Sequence, residues 1–394
     1  MVGNTGWRVQ AVNHQNGLVS HVIFGPGGLD ERSDDYLRTL EASTGRTYAY
    51  RLVEYLAWRD AQGLNDSTVT IRHLDQHMAS LASSHGAGPL GVAVPWRSEP
   101  LSWSAQGNAA TAIRGYYLHS CTMDPTLNPV LADALRDTRL APKAARNASR
   151  RDRPKGTMDA NPLAPKRMTQ NVRLMPPEAY DALFADGVLK TARDRMIVTW
   201  LWDMAPRVGA LCGLRFEDLH LIENHPCREM TGPHAHIVRR RDNPNKALAK
   251  GAPPPGIGSD GIVRGGVLLR VSPQMLSTYW DYLLSDYHRV RGVVDHQQVL
   301  VVLEPKHLGK ALTTQAARRM VKTAGEQANL GLLKPHAFRH RWATEFMRAS
   351  KSAAMTAQAG GWKSTQTVES VYAHLVGTPE LEQALTKVWQ ENKR

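Results

Sequence analysis

A basic, proline-interrupted stretch near the middle of the chain limits the folds that this sequence can adopt. Residues 136–173 contain 11 Lys or Arg and three Asp, an excess of +8 within a whole-chain formal charge of +13. Pro142, Pro154, Pro162 and Pro165 rule out one continuous helix across it. The stretch therefore predicts a linker between two domains, either solvated or lying along a polyanion.

The sequence on both sides of this linker is mainly helical. Before it, Leu52 and Tyr55 belong to an apolar stripe at helical spacing, and further helices are expected at 70–84 and 106–121. After it, strand-like runs at 236–238 and 266–271 flank a turn rich in Lys, Pro and Gly, with a third short strand expected at 299–303. The expected domains are an arm or small hairpin at 1–30, a helical domain at 31–142, the linker at 143–175 and a mixed domain at 176–394.

Composition narrows the functional class. The chain has 394 residues, 42% of them hydrophobic, which is enough for packed cores and excludes a disordered protein. We expect no membrane span and no secretory leader, since no apolar run is long enough for the first and the N-terminal residues lack an apolar segment for the second. Three cysteines are too few for a disulfide framework and favour a reduced, cytoplasmic protein. The positive excess predicts a polyanionic partner, most often nucleic acid.

Three separated motifs carry the chemistry. Arg207 precedes the run Gly213-Leu214-Arg215, which is followed by Asp218. His336 and Arg339 stand three apart, so on a helix they share one face and could hydrogen-bond the same anion. Tyr372 follows Trp362 by ten residues.

In order and spacing these motifs resemble the tyrosine recombinase (phage integrase) family, most closely its transposon-borne and Xer-like members. The resemblance implies a multidomain protein with an all-α (SAM-like) core-binding domain and a mixed α/β, mainly helical, catalytic domain with a small antiparallel sheet. It implies that Arg207, His336, Arg339 and Trp362 line a scissile phosphate of double-stranded DNA and that Tyr372 attacks it. The implied product is a 3′-phosphotyrosyl intermediate, formed without metal, nucleotide or other cofactor.

The resemblance implies that the general acid is a lysine, for which the sequence offers two candidates. Relatives carry it on a hairpin after an Asn-x-Ala-x-Ala run, which maps to Lys250, and Lys246 remains the second candidate. The chain also departs from the family at Ala210, where relatives usually have Glu or Asp. Glu217 or Asp218 could substitute as a supporting acid.

The resemblance also implies an assembly. Recombination would require four protomers on DNA, two active at a time, passing through a Holliday junction, with a monomer in solution. The stripe Leu381, Leu385 and Val388 predicts an amphipathic tail helix that docks either on a neighbouring subunit or on its own domain. Linker residues Arg150, Arg151, Arg153 and Lys155 are expected to contact DNA phosphates.

The sequence also allows three other interpretations. A set of six Cys and His residues suggests a metal site, although its intervals match no standard zinc finger, so no metal is expected; the six are Cys212, His220, His225, Cys227, His234 and His236. A catalytically inactive DNA-binding architectural or regulatory protein of the same fold is the second. A type IB topoisomerase-like enzyme is the third.

Overall fold

The structure, a computed structural model, describes residues 6–15, 19–82, 99–137, 161–165 and 175–369. The chain divides into two compact units, Met1–Gln170 and Asn171–Arg394. Four of the sequence predictions fall outside the described residues; they concern the linker contacts at 150–155, the nucleophile Tyr372, the tail helix after it and the 143–160 part of the linker.

The first unit begins with a small antiparallel sheet. Strands β1 (Arg8–Asn13), β2 (Val19–Gly25) and β3 (Gly28–Leu29) pair in the order β1-β2-β3. Gly28, the first residue of β3, has a φ of +112°, a backbone conformation that suits glycine where the tight turn from β2 ends. Ile23 of β2 is fully buried in the same core as the helices that follow, so this sheet is part of the unit rather than a detached arm.

Five helices complete the described part of the first unit. They are Glu31–Arg38, Ala42–Ala61, Ile71–Ala82, Trp103–Met123 and Pro129–Arg136. The stripe predicted around Leu52 and Tyr55 is buried, as expected, and packs against Tyr117. Asp66 is also buried, and it is paired with Arg59 and accepts a hydrogen bond from the Tyr116 hydroxyl, which compensates its charge.

The second unit is built on helices around one large apolar core. The helices are Ala179–Phe184, Ala192–Asp203, Val208–Gly213, Pro273–Tyr282, His288–Val290, Thr314–Gln327, Pro335–Ser350 and Ala353–Ala359. Trp200, Tyr282 and Phe338 are among its fully buried side chains. The indole N–H of Trp200 donates to the Met275 carbonyl at 3.1 Å, so the ring is buried without losing its hydrogen bond.

Short strands stand beside this core. Strands β4 (Leu219–His220), β5 (His234–Ile237) and β8 (Val267–Arg270) form an antiparallel sheet in the order β4-β5-β8. Strands β6 (Gly256–Ile257) and β7 (Val263–Arg264) form a separate ribbon between β5 and β8 in sequence. The chain is therefore mainly helical with small antiparallel sheets, which confirms the predicted fold class.

The strand predicted at 299–303 is wrong as an element. Only single bridges occur around it, between Gln298 and Arg215 and between Val301 and Ala311. Val299, Leu300 and Val301 are nevertheless buried, so their apolar character reflects the core and not a ladder. In the described residues no helix is long and apolar enough to span a membrane.

Candidate active site

Arg207 stands at the start of a helix and reaches the loop that carries Lys250. It is the residue before the helix Val208–Gly213, and its side chain is exposed. Its Nη1 lies 3.5 Å from the Lys250 carbonyl oxygen, to which it donates. Gly209 of the same helix is packed on this loop, because a Cβ there would lie 2.5 Å from the Leu248 carbonyl oxygen. The first motif and the lysine loop are therefore in direct contact.

The loop itself is held by asparagine side chains. Asn243 is buried and donates through Nδ2 to the Ala247 carbonyl at 2.9 Å. Asn245 donates through Nδ2 to the carbonyls of Cys212 and Leu312, at 2.8 and 2.7 Å. These bonds fix the turn, and the exposed Lys250 follows it.

The two candidate lysines differ in their surroundings. Lys246 is exposed at a left-handed position of the turn, with a φ of +55°, and its backbone N–H donates to the Asn243 carbonyl. Lys250 has the backbone contact with Arg207 described above. That contact favours Lys250 as the lysine of the site.

Arg339 belongs to the helix Pro335–Ser350, and its buried side chain is held by hydrogen bonds to backbone carbonyls. Its side chain is 2% exposed, with Nη1 donating to the Ala205 carbonyl and Nη2 to the Gly360 carbonyl, both at 2.7 Å. Ala205 adopts a left-handed conformation just before Arg207, and Gly360 lies just before Trp362. One guanidinium thus ties together the segments of Arg207 and Trp362.

Trp362 covers the same guanidinium. The Arg339 Cζ lies 3.6 Å from the centroid of the indole ring, a cation–π contact. Gly360 is required for this approach, because a Cβ there would clash with the rings of Trp362 and Trp342. Trp362 also packs on a small apolar cluster that contains Met347.

The His336 imidazole lies in the field of both arginines. Partial burial and the positive charges of Arg339 and Arg207 hold its pKa below the ordinary value. The ring meets that of His340 edge to face, with centroids 4.3 Å apart. Burial, His336 and Arg339 lower the pKa of His340 to about 4. A neutral imidazole at His336 can donate a hydrogen bond to an anion without adding a full charge.

Five of the six residues that the resemblance selected are described, and the structure brings them together. Arg207, Lys250, His336, Arg339 and Trp362 come from four separate segments of the chain. Such a group of cations and donors can hold one anion and neutralise charge that develops on it.

Two neighbours of the site were missed by sequence reasoning. His340 is one helical turn after His336, and that i+4 spacing was the available signal. Lys363 adjoins Trp362, and its Cε lies 3.6 Å from the position of a Cβ on Gly251. Lys363 therefore adds a further positive charge beside the Lys250 loop.

The acids proposed to replace the family carboxylate at Ala210 have other partners. Asp218 is buried and accepts hydrogen bonds from Arg240 at 2.8 Å and from the Arg215 backbone at 2.9 Å. Glu217 also accepts from Arg240, at 2.9 Å. Arg215 itself pairs with Asp242 at 2.8 Å, so it is a structural ion-pair residue. These ion pairs support the sheet around β4, not Arg207 directly.

Four of the six Cys and His residues weighed as metal ligands lie together. The ligand atoms of His220, Cys227, His234 and His236 are all within 4.8 Å of one another, and all four residues are buried. Cys212 is not in this group but in the large apolar core.

Sequence comparison identifies relatives of this chain. Residues 275–377 match the sequence profile of the phage integrase family. Transposase A from transposon Tn554 of Staphylococcus aureus is 27% identical over 189 residues, which are 47% of this chain and 44% of the transposase. The chain thus spans less than half the length of the curated relatives it matches.

Solved structures share the fold over most of the chain. A XerH site-specific recombinase bound to palindromic difH substrate, in a post-cleavage complex, has a TM-score of 0.55 at 15% identity, covering 90% of this chain and 82% of that one. The Tn1549 transposon integrase in complex with transposon right end DNA has a TM-score of 0.54 at 12% identity, covering 90% and 98%. At these identities the likeness concerns the fold.

Proposed function

Residues 275–377 belong to the phage integrase family and the chain has the tyrosine recombinase fold, and on that premise we propose that it is a site-specific DNA recombinase. The observation that carries the proposal is that Arg207 contacts the backbone of Lys250 and lies, with Arg339, close enough to His336 to lower its pKa. Two of the similar proteins, the Tn554 transposase and the Tn1549 integrase, come from transposons, which supports a mobile-element substrate.

The reaction is a transfer of a phosphodiester to the protein. The Tyr372 oxygen attacks the scissile phosphorus, the bond from phosphorus to the 5′-oxygen breaks, and a 3′-phosphotyrosyl ester forms. Attack by a 5′-hydroxyl on that ester reverses the bond changes and frees the tyrosine. Because one ester replaces another, the energy of the broken bond is kept and the step needs no ATP and no catalytic metal.

The site residues lower the barrier of this step in two ways. Arg207, His336 and Arg339 stabilise the charge on the non-bridging oxygens, where removal of one such preorganised donor typically costs ~10²–10³ in rate. Lys250 donates its proton to the leaving 5′-oxygen, which would otherwise depart as a poor alkoxide leaving group. The clamped guanidinium of Arg339 keeps its position without help from the substrate.

The partner is double-stranded DNA held by two domains. In this proposal the helical domain at 31–142 and the catalytic domain at 176–394 bind the duplex, and the linker residues Arg150, Arg151, Arg153 and Lys155 contact phosphates between them. Four protomers assemble on two sites, two are active at a time, and the tail helix after Tyr372 docks on a neighbour. The reaction takes place on DNA in a bacterial or phage-infected cytoplasm.

A covalent adduct tests this function. The purified chain is incubated with nicked suicide duplexes carrying candidate sites, and DNA that stays attached after denaturation is sequenced. We expect a 3′-phosphotyrosyl adduct with the wild-type chain and none with Tyr372→Phe, while both bind the duplex equally.

The same assay separates this proposal from the other two. Sequence-specific binding without any adduct would overturn it in favour of an inactive DNA-binding protein. Relaxation of supercoiled DNA that lacks any recombination site would favour a topoisomerase-like enzyme.

A further inference from the structure

A buried group of three histidines and a cysteine lies on the sheet of the second unit. His220 of β4 is directly opposite His234 of β5 in the antiparallel register, and His236 follows two residues later on the same strand. Residues i and i+2 of a strand point to the same face, so pairing and alternation bring the three rings together. The ring centroids of His220 and His236 are 4.3 Å apart. Cys227, from the loop between the strands, completes the group.

Backbone carbonyls orient the rings. The Nδ1 of His234 lies 2.7 Å from the Gly232 carbonyl, and the Nδ1 of His236 lies 2.7 Å from the Gly265 carbonyl. The Glu217 backbone carbonyl acts on the pKa of His220 in the same sense, raising it. A ring nitrogen that faces a carbonyl must carry the proton, so the other nitrogen of each neutral ring presents a lone pair. This is the arrangement by which metal-binding histidines are commonly held.

Two of these lone pairs have no protein donor. His220 Nδ1 and His236 Nε2 are buried and form no hydrogen bond. His234 Nε2 instead lies 3.3 Å from the Cys227 Sγ. Burying a polar atom without a partner is costly, so two of them at one place, beside a thiol, call for a shared ligand that accepts electron pairs.

We propose that His220, Cys227, His234 and His236 bind one Zn²⁺ ion as a closed, structural site. Nitrogen and thiolate ligands in a set of four are the preference of zinc, and four protein ligands leave no position open for catalysis. Ligands about 2.0–2.3 Å from a tetrahedral ion are about 3.3–3.8 Å from each other. The His234–Cys227 pair already has that spacing, and the remaining ligand atoms, within 4.8 Å, need small side-chain rotations.

Neighbouring residues are suited to support the ion. His225 stacks on His220 with centroids 3.6 Å apart, and its Nδ1 accepts from the Cys227 backbone N–H at 3.2 Å, which positions the thiol. Glu229 accepts from the Gly265 backbone N–H, and its Oε2 lies 3.6 Å from His236 Nδ1. The carboxylate therefore adds a negative charge close to the ligand shell.

The ion would fix the base of the segment that carries Lys250. The ion would join β4 to β5. After β5 the chain passes through Arg240, which pairs with Asp218, and then reaches the lysine loop. Zinc here would thus hold structure and take no part in phosphoryl transfer. The proposal therefore replaces the expectation of no metal with a structural ion, and the expectation of no catalytic metal is unchanged.

Metal content and spectroscopy test the site on the full chain. Wild-type protein is stripped with a chelator, reconstituted with Zn²⁺ or Co²⁺ and measured for metal content and for the thermal midpoint. We expect one zinc per chain, a higher midpoint with zinc than without, and a thiolate-to-cobalt charge-transfer band. A wild-type chain that takes up no stoichiometric zinc and shows no such band would overturn the proposal.

The cysteines offer matched controls. All three are buried and free, and only Cys227 lies in the group. We expect Cys227→Ser to lose the cobalt band and the stoichiometric zinc, while Cys121→Ala and Cys212→Ala keep both. If Cys227→Ser keeps the cobalt band, or the band is lost with Cys212→Ala instead, the ligand assignment is wrong. These readouts are independent of DNA cleavage, so they can fail without affecting the proposed recombinase.

Discussion

The guanidinium of Arg339 lies with its Cζ 3.6 Å from the centroid of the Trp362 ring, while its two terminal nitrogens donate to the carbonyls of Ala205 and Gly360. An arginine with both ends held and one face covered loses little conformational freedom when an anion arrives. The tryptophan covers Arg339, and in the proposed reaction it would also offer its indole N–H to the phosphate.

Substitution of Trp362 separates these roles. Trp362→Phe keeps an aromatic face over Arg339, so we expect less than about 1.5 kcal/mol of lost stability. If the indole N–H binds the scissile phosphate, cleavage should nevertheless fall ~10²-fold or more, as for removal of one preorganised donor. Trp362→Ala should lose both stability and cleavage. Urea unfolding measures the change in stability, and adduct formation measures the change in cleavage. Wild-type cleavage by Trp362→Phe would show that Trp362 has only the packing role.

Lys250 is tested with a modified leaving group. Lys250→Ala should reduce cleavage of ordinary DNA by ~10²–10⁴, the usual contribution of a general acid. A 5′-bridging phosphorothiolate should restore much of this activity, because a thiolate leaves without a proton. Lys246→Ala is the matched control and should cleave ordinary DNA almost as wild type. Rescue of Lys246→Ala instead would show that the lysine loop is assigned in the wrong register.

Local patterns in the sequence account for much of the fold. Leu52 and Tyr55 repeat at helical spacing because their helix buries one face, and the runs at 236–238 and 266–271 overlap β5 and β8, which pair as expected. The strand predicted at 299–303 is absent, because a buried apolar segment has the same sequence pattern whether or not it pairs with a neighbouring strand.

Contacts made by the backbone could not be read from the sequence. Nothing in the residue types indicates that Arg339 donates to Ala205 and Gly360, because these bonds depend on how distant segments pack. The histidine group likewise depends on the strand register that sets His220 opposite His234. The sequence shows only the intervals between the Cys and His residues, and these match no standard zinc finger.

His340 predicts a pH dependence of stability. Burial and the neighbouring positive groups lower its pKa to about 4 in the folded protein, whereas an unfolded histidine titrates near pH 6.5. Between these values the unfolded chain binds the proton that the folded chain does not, so stability falls as the pH drops from about 6.5 toward 4. The stability at pH 7 is unaffected because His340 is then neutral in both states.

The substitution His340→Gln isolates this contribution. Glutamine does not titrate, so the urea midpoint of the variant should fall less between pH 7 and pH 5 than that of the wild-type chain. The exposed His307 provides the control, and His307→Gln should keep the wild-type slope. Parallel pH profiles for wild type and His340→Gln would show that His340 is not shielded in the folded protein.

Gly209 links the helix after Arg207 to the lysine loop, and its substitution tests whether their contact matters for catalysis. A Cβ at this position would lie 2.5 Å from the Leu248 carbonyl oxygen, so Gly209→Ala must displace the loop or the helix. We expect a loss of about 1–3 kcal/mol in stability from the overpacking. Cleavage of ordinary DNA should fall by ~10², the effect of a misplacement of about 1 Å at a catalytic group.

The matched control is Gly107→Ala, in the helix Trp103–Met123, where an added Cβ meets nothing within 4 Å. That variant should be stabilised by up to about 1 kcal/mol, as alanine is the better helix former, and should cleave normally. Because the defect of Gly209→Ala is expected to act through Lys250, the 5′-bridging phosphorothiolate should recover much of its cleavage. A defect that the phosphorothiolate does not relieve would mean that the displaced group is Arg207, at the start of the same helix, and not the general acid.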